Sequence, residues 1–183
     1  MTDDGAATEE YEIKSHLTVT SLDAFLALGP VGQGETRVVD TYYDDGGGSL
    51  YRAGVFVRVR NSRSVEVKWT PDPDDRSHTN SQEEKYEYPV GGAAAEALRS
   101  RLRPYVDLTP SGTGRLEDWG LSPLVTVDKV RRSYGLDGLT VCVDEVDGLG
   151  SFIEIESPRS QDRAGVAQLA QRLGMVNLPI GYV

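Results

Sequence analysis

Charged side chains recur at every second position near the start of the chain. Glu10, Glu12 and Lys14 alternate there with Tyr11 and Ile13. Because alternate side chains of a β-strand share one face, two acids and one base would lie together on one side of a strand. Grouped carboxylates can bind a divalent cation through oxygen, and an ammonium group can bind an anion such as phosphate.

The alternation recurs in later segments, where acids and bases are largely segregated. The basic positions are Arg58, Arg60, Lys68, Lys129 and Arg131. The acidic positions are Glu83, Glu87, Asp144, Glu154 and Glu156. An antiparallel sheet with one face in water would explain any single segment. A closed barrel that holds a charged ligand inside and is covered by helices outside would explain the whole set.

Turn signals join these segments into hairpins. The runs VFVRVR and SVEVKW have the polar stretch NSRS between them, and a second pair of runs flanks Asp137 and Gly138, which form a favourable hairpin turn. Helices are predicted at 20–29, with Ser21 as the cap, at 92–102 and at 160–174. Consecutive hairpins with a few helices favour a mostly antiparallel α+β protein.

The remaining segments complete this organisation. We expect residues 1–9 to form a flexible tail and residues 10–183 to form a single domain. A strand is predicted at 37–45 and a polar loop at 71–82. Trp69 is predicted to be a core or loop anchor, because such residues serve this role more often than they stack on a ligand.

Composition narrows the function classes. The formal net charge is −10 and the sequence pI is about 4.7, so nucleic-acid binding by the outer surface is not expected. No apolar run approaches the roughly 20 residues that span a bilayer, and the acidic start resembles no signal peptide, so we expect a cytoplasmic protein with no membrane partner. A single cysteine, Cys142, excludes an internal disulfide and a cysteine-based zinc site. The stretch GPVGQGET lacks the lysine of a phosphate-binding loop.

The charged motifs resemble those of a known family. EYEIK resembles the E-x-E-x-K signature of the CYTH domain, the triphosphate tunnel metalloenzymes. In the same order along the chain, DTYYDDGGGSLYRAGVFVRVR resembles the family's Tyr-Tyr-Asp block with its R-x-R strand, VEVKW its lysine strand, and KVRRSY its K-x-R segment. VDEVDGLGSFIEIES resembles its acidic strand, Gly-Leu-Gly turn and E-x-E strand. The ordered set is more specific than E-x-E-x-K alone.

The resemblance implies a fold, a ligand and a site. The fold is a closed antiparallel barrel of about eight strands that forms a charged tunnel, and the ligand is a triphosphate bound with Mg²⁺ or Mn²⁺. The implied phosphate-binding residues are Lys14, Arg58, Arg60, Lys68, Lys129 and Arg131. The implied metal-binding residues are Glu10, Glu12, Asp144, Glu154 and Glu156. The implied catalytic residues are Glu10, Glu12, Lys14, Glu87 and Asp144.

The resemblance leaves three functions open. Hydrolysis of inorganic tripolyphosphate or of an organic triphosphate is the first, a class IV type of adenylyl cyclase is the second, and a non-catalytic triphosphate or polyphosphate binder is the third. The chain departs from the family's common pattern at Lys85, where many members carry an acid, and before Tyr182, where it has no lysine. We expect a small-molecule triphosphate as the partner and a monomer or homodimer as the assembly.

Overall fold

The computed structural model describes residues 6–70, 72, 79–157, 162–178 and 181–183. It contains eight strands: β1 (Thr8–His16), β2 (Val31–Asp44), β3 (Val55–Arg60), β4 (Ser64–Trp69), β5 (Asn80–Glu87), β6 (Ser122–Leu136), β7 (Leu139–Val146) and β8 (Gly150–Ser157). The α-helices are α1 (Val19–Ala27), α2 (Ser49–Arg52), α3 (Gly92–Leu102) and α4 (Arg163–Arg172).

The strands close into a barrel in the order β1-β5-β4-β3-β2-β6-β7-β8, and the helices lie outside it. The pairs β1–β8, β2–β3, β3–β4, β4–β5, β6–β7 and β7–β8 are antiparallel. The predicted α+β fold with a closed antiparallel barrel is therefore confirmed. No helix in the described part of the chain is both long and apolar enough to cross a membrane.

The chain divides into two compact units, each with its own core. The first unit includes residues 39–70 and 82–127, and the second includes residues 9–38, 128–157, 162–178 and 181–183. Each unit carries strands whose apolar face packs under helices and whose other face is charged.

The core of the first unit lies between the β3–β4 hairpin and α3. Val57 and Val67 are fully buried on the strands and pack in one cluster with Leu98 and Leu102 of α3 and with Trp119. This leaves the alternate residues of β3 and β4, such as Arg58, on the opposite face of the hairpin. The apolar cover predicted for the strands is therefore present.

The core of the second unit lies between β7, β8 and two helices. Ile153 and Ile155 of β8 are fully buried and pack in one cluster with Phe25 of α1 and with Val166 and Leu169 of α4. The period of two along β8 places Glu154 and Glu156 on the face opposite this core. Burial of the isoleucines thus fixes the direction in which the acids point.

A tight turn fixes the register of the β3–β4 hairpin. Asn61 and Ser62 have φ angles of 52° and 56°, and Arg63 donates its N–H to the carbonyl of Arg60 over 2.9 Å. Two successive residues with positive φ are typical of the type I′ turn, whose twist matches the twist of the strands that it joins. Asn61 is also tied to Val39 of β2, because its N–H donates to the Val39 carbonyl and its Oδ1 accepts from the Val39 N–H, both over 2.8 Å.

Some element boundaries differ from those predicted. Helix α1 is capped by Thr18 and not by Ser21, because Thr18 and Ser21 form a reciprocal capping box one turn earlier. Strand β2 begins at Val31 and not at residue 37, and its early part is fixed by an ion pair of 2.8 Å between Glu35 and Arg132. Residues 80–82 of the predicted 71–82 loop belong to β5, and most of the rest of that loop lies outside the described residues.

Candidate active site

Charged side chains gather on the strand faces opposite the two apolar cores. In the first unit they form the arginine cluster: Asp40, Arg58, Arg60, Glu66, Glu83 and Lys85. In the second unit they form the carboxylate cluster: Glu10, Glu12, Lys14, Lys129, Arg131, Asp144, Glu154, Glu156 and Tyr182.

The two arginines of β3 bind carboxylates. Arg60 donates to both oxygens of Asp40 over 2.8 Å, a bidentate arrangement that fixes the plane of the guanidinium. Arg58 donates from Nε to Glu66 over 2.9 Å and lies 3.4 Å from Glu83. Both arginines therefore have their counter-ions supplied within the first unit.

Glu66 is the central acid of the arginine cluster. Its Cα lies opposite Arg58 on β3 and opposite Lys85 on β5, and its side chain is only 2% exposed. Its carboxylate is 3.0 Å from Arg60 and 3.2 Å from Lys85. Burial raises the pKa of this carboxyl, but Arg58, Arg60 and Lys85 outweigh burial and lower it to about 2. Glu66 is thus a permanent counter-ion for three cations.

Two predicted residues of the first unit lie at the margins of this cluster. Lys68 is half-buried, and its Cα lies opposite Glu83 on β5. Glu87 is exposed at the end of β5, with its Cα opposite Ser64. The neighbouring acid on β5, Glu84, lies on the other face and accepts hydrogen bonds from Arg101 and from the Tyr86 hydroxyl.

Asp144 anchors the carboxylate cluster. Its side chain is fully buried, and it accepts from Lys129 Nζ over 2.6 Å and from Arg131 over 2.8 Å and 2.7 Å. Its neighbour in sequence, Glu145, points to the opposite face of β7 and pairs with Arg132 at the surface. Because Lys129 is itself only 4% exposed, this pair is held away from water.

Glu154 lies beside three basic groups. Lys14 Nζ is 3.1 Å away, Arg131 donates to the other oxygen, and the Cα atoms of Lys14 and Glu154 are paired across β1 and β8. Burial raises the pKa of this carboxyl, but Lys14, Arg131 and Lys129 outweigh burial and hold it well below its ordinary value. Glu154 is therefore ionised at neutral pH.

Glu156 lies among other acids. Its Cα is paired with that of Glu12, and its closest basic partner, Arg131, is 3.8 Å away. Burial raises its pKa to about 7, Arg131 opposes this shift, and the charges of Glu10, Glu154 and Glu12 add to it. Glu10 and Glu12 are half-buried on β1, and Glu12 lies 3.6 Å from Lys14.

Five residues of these clusters were not among the predicted site residues: Asp40, Glu66, Glu83, Lys85 and Tyr182. Glu66 alternates with the buried Val65 and Val67, so strand periodicity places it on the charged side. Asp40 shares its face with the buried Val38 and Tyr42, so periodicity carries no such signal for it. Tyr182 donates its hydroxyl to Glu154 over 2.8 Å and to Asp144 over 3.1 Å. Periodicity carries no signal for Tyr182, because it lies outside every strand and helix.

The carboxylate cluster fits a divalent cation by the chemistry of its donors. It holds five carboxyl groups and three basic groups. Burial raises the pKa of Glu156, and the charges of Glu10, Glu154 and Glu12 add to this shift, so a positive charge beside these acids would be favourable. Among the described residues, no group of three or more His, Cys, Asp or Glu side chains is arranged to hold a metal ion. A cation at this cluster would therefore bind through one or two carboxylates together with substrate oxygens, which is the usual mode of Mg²⁺.

Comparisons with known proteins agree with this architecture. Among solved structures, a conserved hypothetical protein from Pyrococcus furiosus aligns with a TM-score of 0.65 at 20% identity, over 94% of this chain and 97% of its own. A proposed adenylate cyclase from Bacillus halodurans aligns with a TM-score of 0.63 at 16% identity, over 96% and 95%.

A proposed adenylyl cyclase from Hippeastrum, whose structure is reported to reveal a dominant triphosphatase activity, aligns with a TM-score of 0.61 at 17% identity, over 96% of this chain and 92% of its own. No curated protein matches the chain. At these identities the structural likeness shows the fold alone. The model of the CYTH domain, however, matches residues 8–177, and the chain therefore belongs to the CYTH family.

Proposed function

We propose that this chain is a metal-dependent phosphohydrolase that cleaves a phosphoanhydride bond of a triphosphate. The substrate is inorganic tripolyphosphate or an organic triphosphate such as thiamine triphosphate or a nucleotide. The carboxylate cluster carries the proposal, because it combines buried basic groups with an excess of carboxyl groups on one strand face. The basic groups can bind phosphate oxygens, and the carboxyl groups can bind a hard cation such as Mg²⁺.

The basic residues bind the phosphates in this proposal. Lys14, Lys129 and Arg131 already bind carboxylate oxygens in the carboxylate cluster. Lys14 Nζ lies 3.1 Å from Glu154, and Lys129 Nζ lies 2.6 Å from Asp144. Phosphate oxygens can take the same donors, since guanidinium and ammonium groups bind both kinds of anion. In the first unit, the proposed phosphate-binding residues are Arg58, Arg60 and Lys68.

In this proposal the acidic residues bind the metal and accept the proton of the attacking water. The proposed metal ligands are Glu10, Glu12, Asp144, Glu154 and Glu156. When bound, Mg²⁺ or Mn²⁺ would polarise the phosphoryl group and neutralise charge that develops on its oxygens. Glu156, whose pKa burial and neighbouring acids raise to about 7, is the proposed acceptor of the proton from the attacking water.

The reaction balances with water as the nucleophile. The water oxygen forms a bond to the terminal phosphorus, the anhydride P–O bond breaks, and the water proton passes to a carboxylate. The products from tripolyphosphate are orthophosphate and pyrophosphate. Lys14, Lys129 and Arg131 stabilise the charge on the phosphates throughout, because their donors are already oriented by buried acids.

The test is a substrate panel with purified protein and Mg²⁺ or Mn²⁺. Tripolyphosphate, thiamine triphosphate, ATP and other nucleotides are assayed for orthophosphate release. Glu12→Gln should abolish turnover while leaving the fold intact, and Glu145→Gln should leave turnover unchanged because Glu145 lies on the opposite face of β7. Full activity in the Glu12→Gln variant would refute the assignment.

Adenylyl cyclase chemistry is the second candidate, because two of the structural relatives carry that proposed name. In that reaction the ribose 3′-hydroxyl of ATP would attack the α-phosphorus instead of water. Cyclic AMP and pyrophosphate as products would establish it. Metal-assisted binding of tripolyphosphate without any turnover would instead establish a non-catalytic binder.

A further inference from the structure

Tyr182 contacts two of the five acids and both lysines of the carboxylate cluster. Its hydroxyl donates to Glu154 Oε1 over 2.8 Å and to Asp144 Oδ2 over 3.1 Å. Its ring centroid lies 4.1 Å from Lys14 Nζ and 4.8 Å from Lys129 Nζ. One side chain outside the barrel strands therefore links the groups that the proposed function assigns to metal and to phosphate.

Residues 176–178 are fixed along β1 by three hydrogen bonds that involve their backbone N–H groups or the Asn177 side chain. Leu178 donates its N–H to the carbonyl of Lys14 over 2.8 Å, and Lys14 donates its own N–H to Asn177 Oδ1 over 3.4 Å. Val176 donates its N–H to the hydroxyl of Ser15 over 3.2 Å. These bonds attach the segment to the same strand that supplies Lys14.

The ring of Tyr182 is also packed at its edge. Its centroid lies 5.1 Å from that of Phe152 of β8, in a T-shaped contact. Its hydroxyl lies within hydrogen-bond distance of the carboxylates of Glu154 and Asp144. The side chain is thus held by packing on one side and by two carboxylates on the other.

We propose that Tyr182 is a positioning residue with two separable roles. Its hydroxyl holds the carboxylates of Asp144 and Glu154 in the orientation in which they meet a divalent cation. Its ring lies against the ammonium groups of Lys14 and Lys129 and keeps them oriented toward phosphate. This inference rests on the proposed function.

The two roles follow from different parts of the side chain. The hydroxyl has one proton and lies within hydrogen-bond distance of both acids, at 2.8 Å and 3.1 Å, so its loss would affect both carboxylates. The ring face is negative and attracts an ammonium group whether or not the hydroxyl is present. Phenylalanine at this position keeps the ring and removes the hydroxyl, whereas leucine removes both.

Isothermal titration of the purified chain separates the roles without measuring turnover. Mn²⁺ alone and tripolyphosphate alone, in chelator-treated buffer, are the two probes. Tyr182→Phe should weaken Mn²⁺ binding about tenfold, as loss of a hydrogen bond to a metal ligand typically does, and should leave tripolyphosphate binding within about twofold. Tyr182→Leu should weaken Mn²⁺ binding to the same extent and tripolyphosphate binding about fivefold.

Tyr11→Phe is the matched control, because Tyr11 lies on β1 and its ring faces Arg163 on the apolar side. Neither probe should bind differently to that variant. The Tyr182→Phe result decides the proposal even if the leucine variant does not fold, since phenylalanine keeps the ring packing. Unchanged Mn²⁺ affinity, or an equal loss for both probes, would overturn it. Failure of the unaltered chain to bind either probe would instead refute the proposed function.

Discussion

Replacing Glu156 by glutamine should stabilise the metal-free protein at neutral and alkaline pH. Burial and the charges of Glu10, Glu154 and Glu12 raise the pKa of this carboxyl from an ordinary value of 4.5 to about 7, against the opposing effect of Arg131. The folded protein therefore binds this proton more tightly than the unfolded chain does. The contribution of Glu156 to the free energy of unfolding should fall as the pH rises from 4.5 to 7 and should level off above that range.

The size of the effect follows from the same pKa values. A change from 4.5 to about 7 corresponds to a free-energy cost of about 3 kcal/mol for ionising Glu156 in the folded protein. The side chain is 25% exposed, so water reduces this cost, and we expect Glu156→Gln to gain about 2 kcal/mol at pH 8. In a domain of this size that is a rise in Tm on the order of 5 °C.

Urea unfolding of the wild type and the variant at pH 4.5, 6, 7 and 8, with chelator present, measures this difference. The two proteins should be equally stable at the lowest pH and should diverge toward pH 7. Glu145→Gln should show no such divergence, because Glu145 is exposed and paired with Arg132. A stability difference that is constant with pH, or that favours the wild type at pH 8, would contradict a raised pKa for Glu156. It would show that Arg131 outweighs burial and the neighbouring acids. Added Mg²⁺ should stabilise the wild type more than the variant at pH 8, since a cation offsets the repulsion among the acids.

Three further predictions concern the rest of the molecule. Pairing with basic groups outweighs burial and lowers the pKa of Glu66 to about 2, so the stabilisation from this carboxylate is present above pH 4.5 and is lost as the pH falls toward 2. In urea unfolding, Glu66→Gln should therefore cost about 2 kcal/mol at pH 7 and progressively less in acid. Lys85→Gln should cost under about 1 kcal/mol, because the Lys85 side chain is 66% exposed. Burial raises the pKa of the Cys142 thiol to about 12, so iodoacetamide at pH 8 should label the native protein at least about 100-fold more slowly than the urea-unfolded chain, and equal rates would contradict burial. A Cβ on Gly114 would lie 2.1 Å from the Val90 carbonyl oxygen, so Gly114→Ala should lower the free energy of unfolding by about 3 kcal/mol or more. A Cβ on Gly112 would meet nothing within 4 Å, so Gly112→Ala should be tolerated.

Strand faces could be predicted from the sequence, because the period of two is strict wherever one face is apolar. Buried Val57 and Val67 leave Arg58 and Lys68 on the other side of the hairpin, and Ile153 and Ile155 do the same for Glu154. The predicted Asp137-Gly138 turn is also confirmed, with positive φ at both residues. Local chemistry was sufficient for each of these features.

Partners across strands could not be predicted in the same way, because they depend on register. Alternation placed Glu66 on a charged face but could not show that it lies between Arg58 and Lys85. The role of Tyr182 could not be predicted from periodicity, because this residue lies outside every described strand and helix. The cap of α1 was missed by three residues because Ser21, a good cap by type, is the reciprocal partner of Thr18.

The turn between β3 and β4 has a consequence for how this protein tolerates insertions and deletions. A one-residue change of length there would shift β4 by one position against β3, and every side chain of β4 would then face the other way. Glu66 would enter the apolar core and Val65 or Val67 would take its place beside Arg58. Substitutions in the turn that keep its positive φ angles should be accepted, whereas changes in its length should not. The charge balance of the arginine cluster thus depends on the length of a loop that contains none of its members.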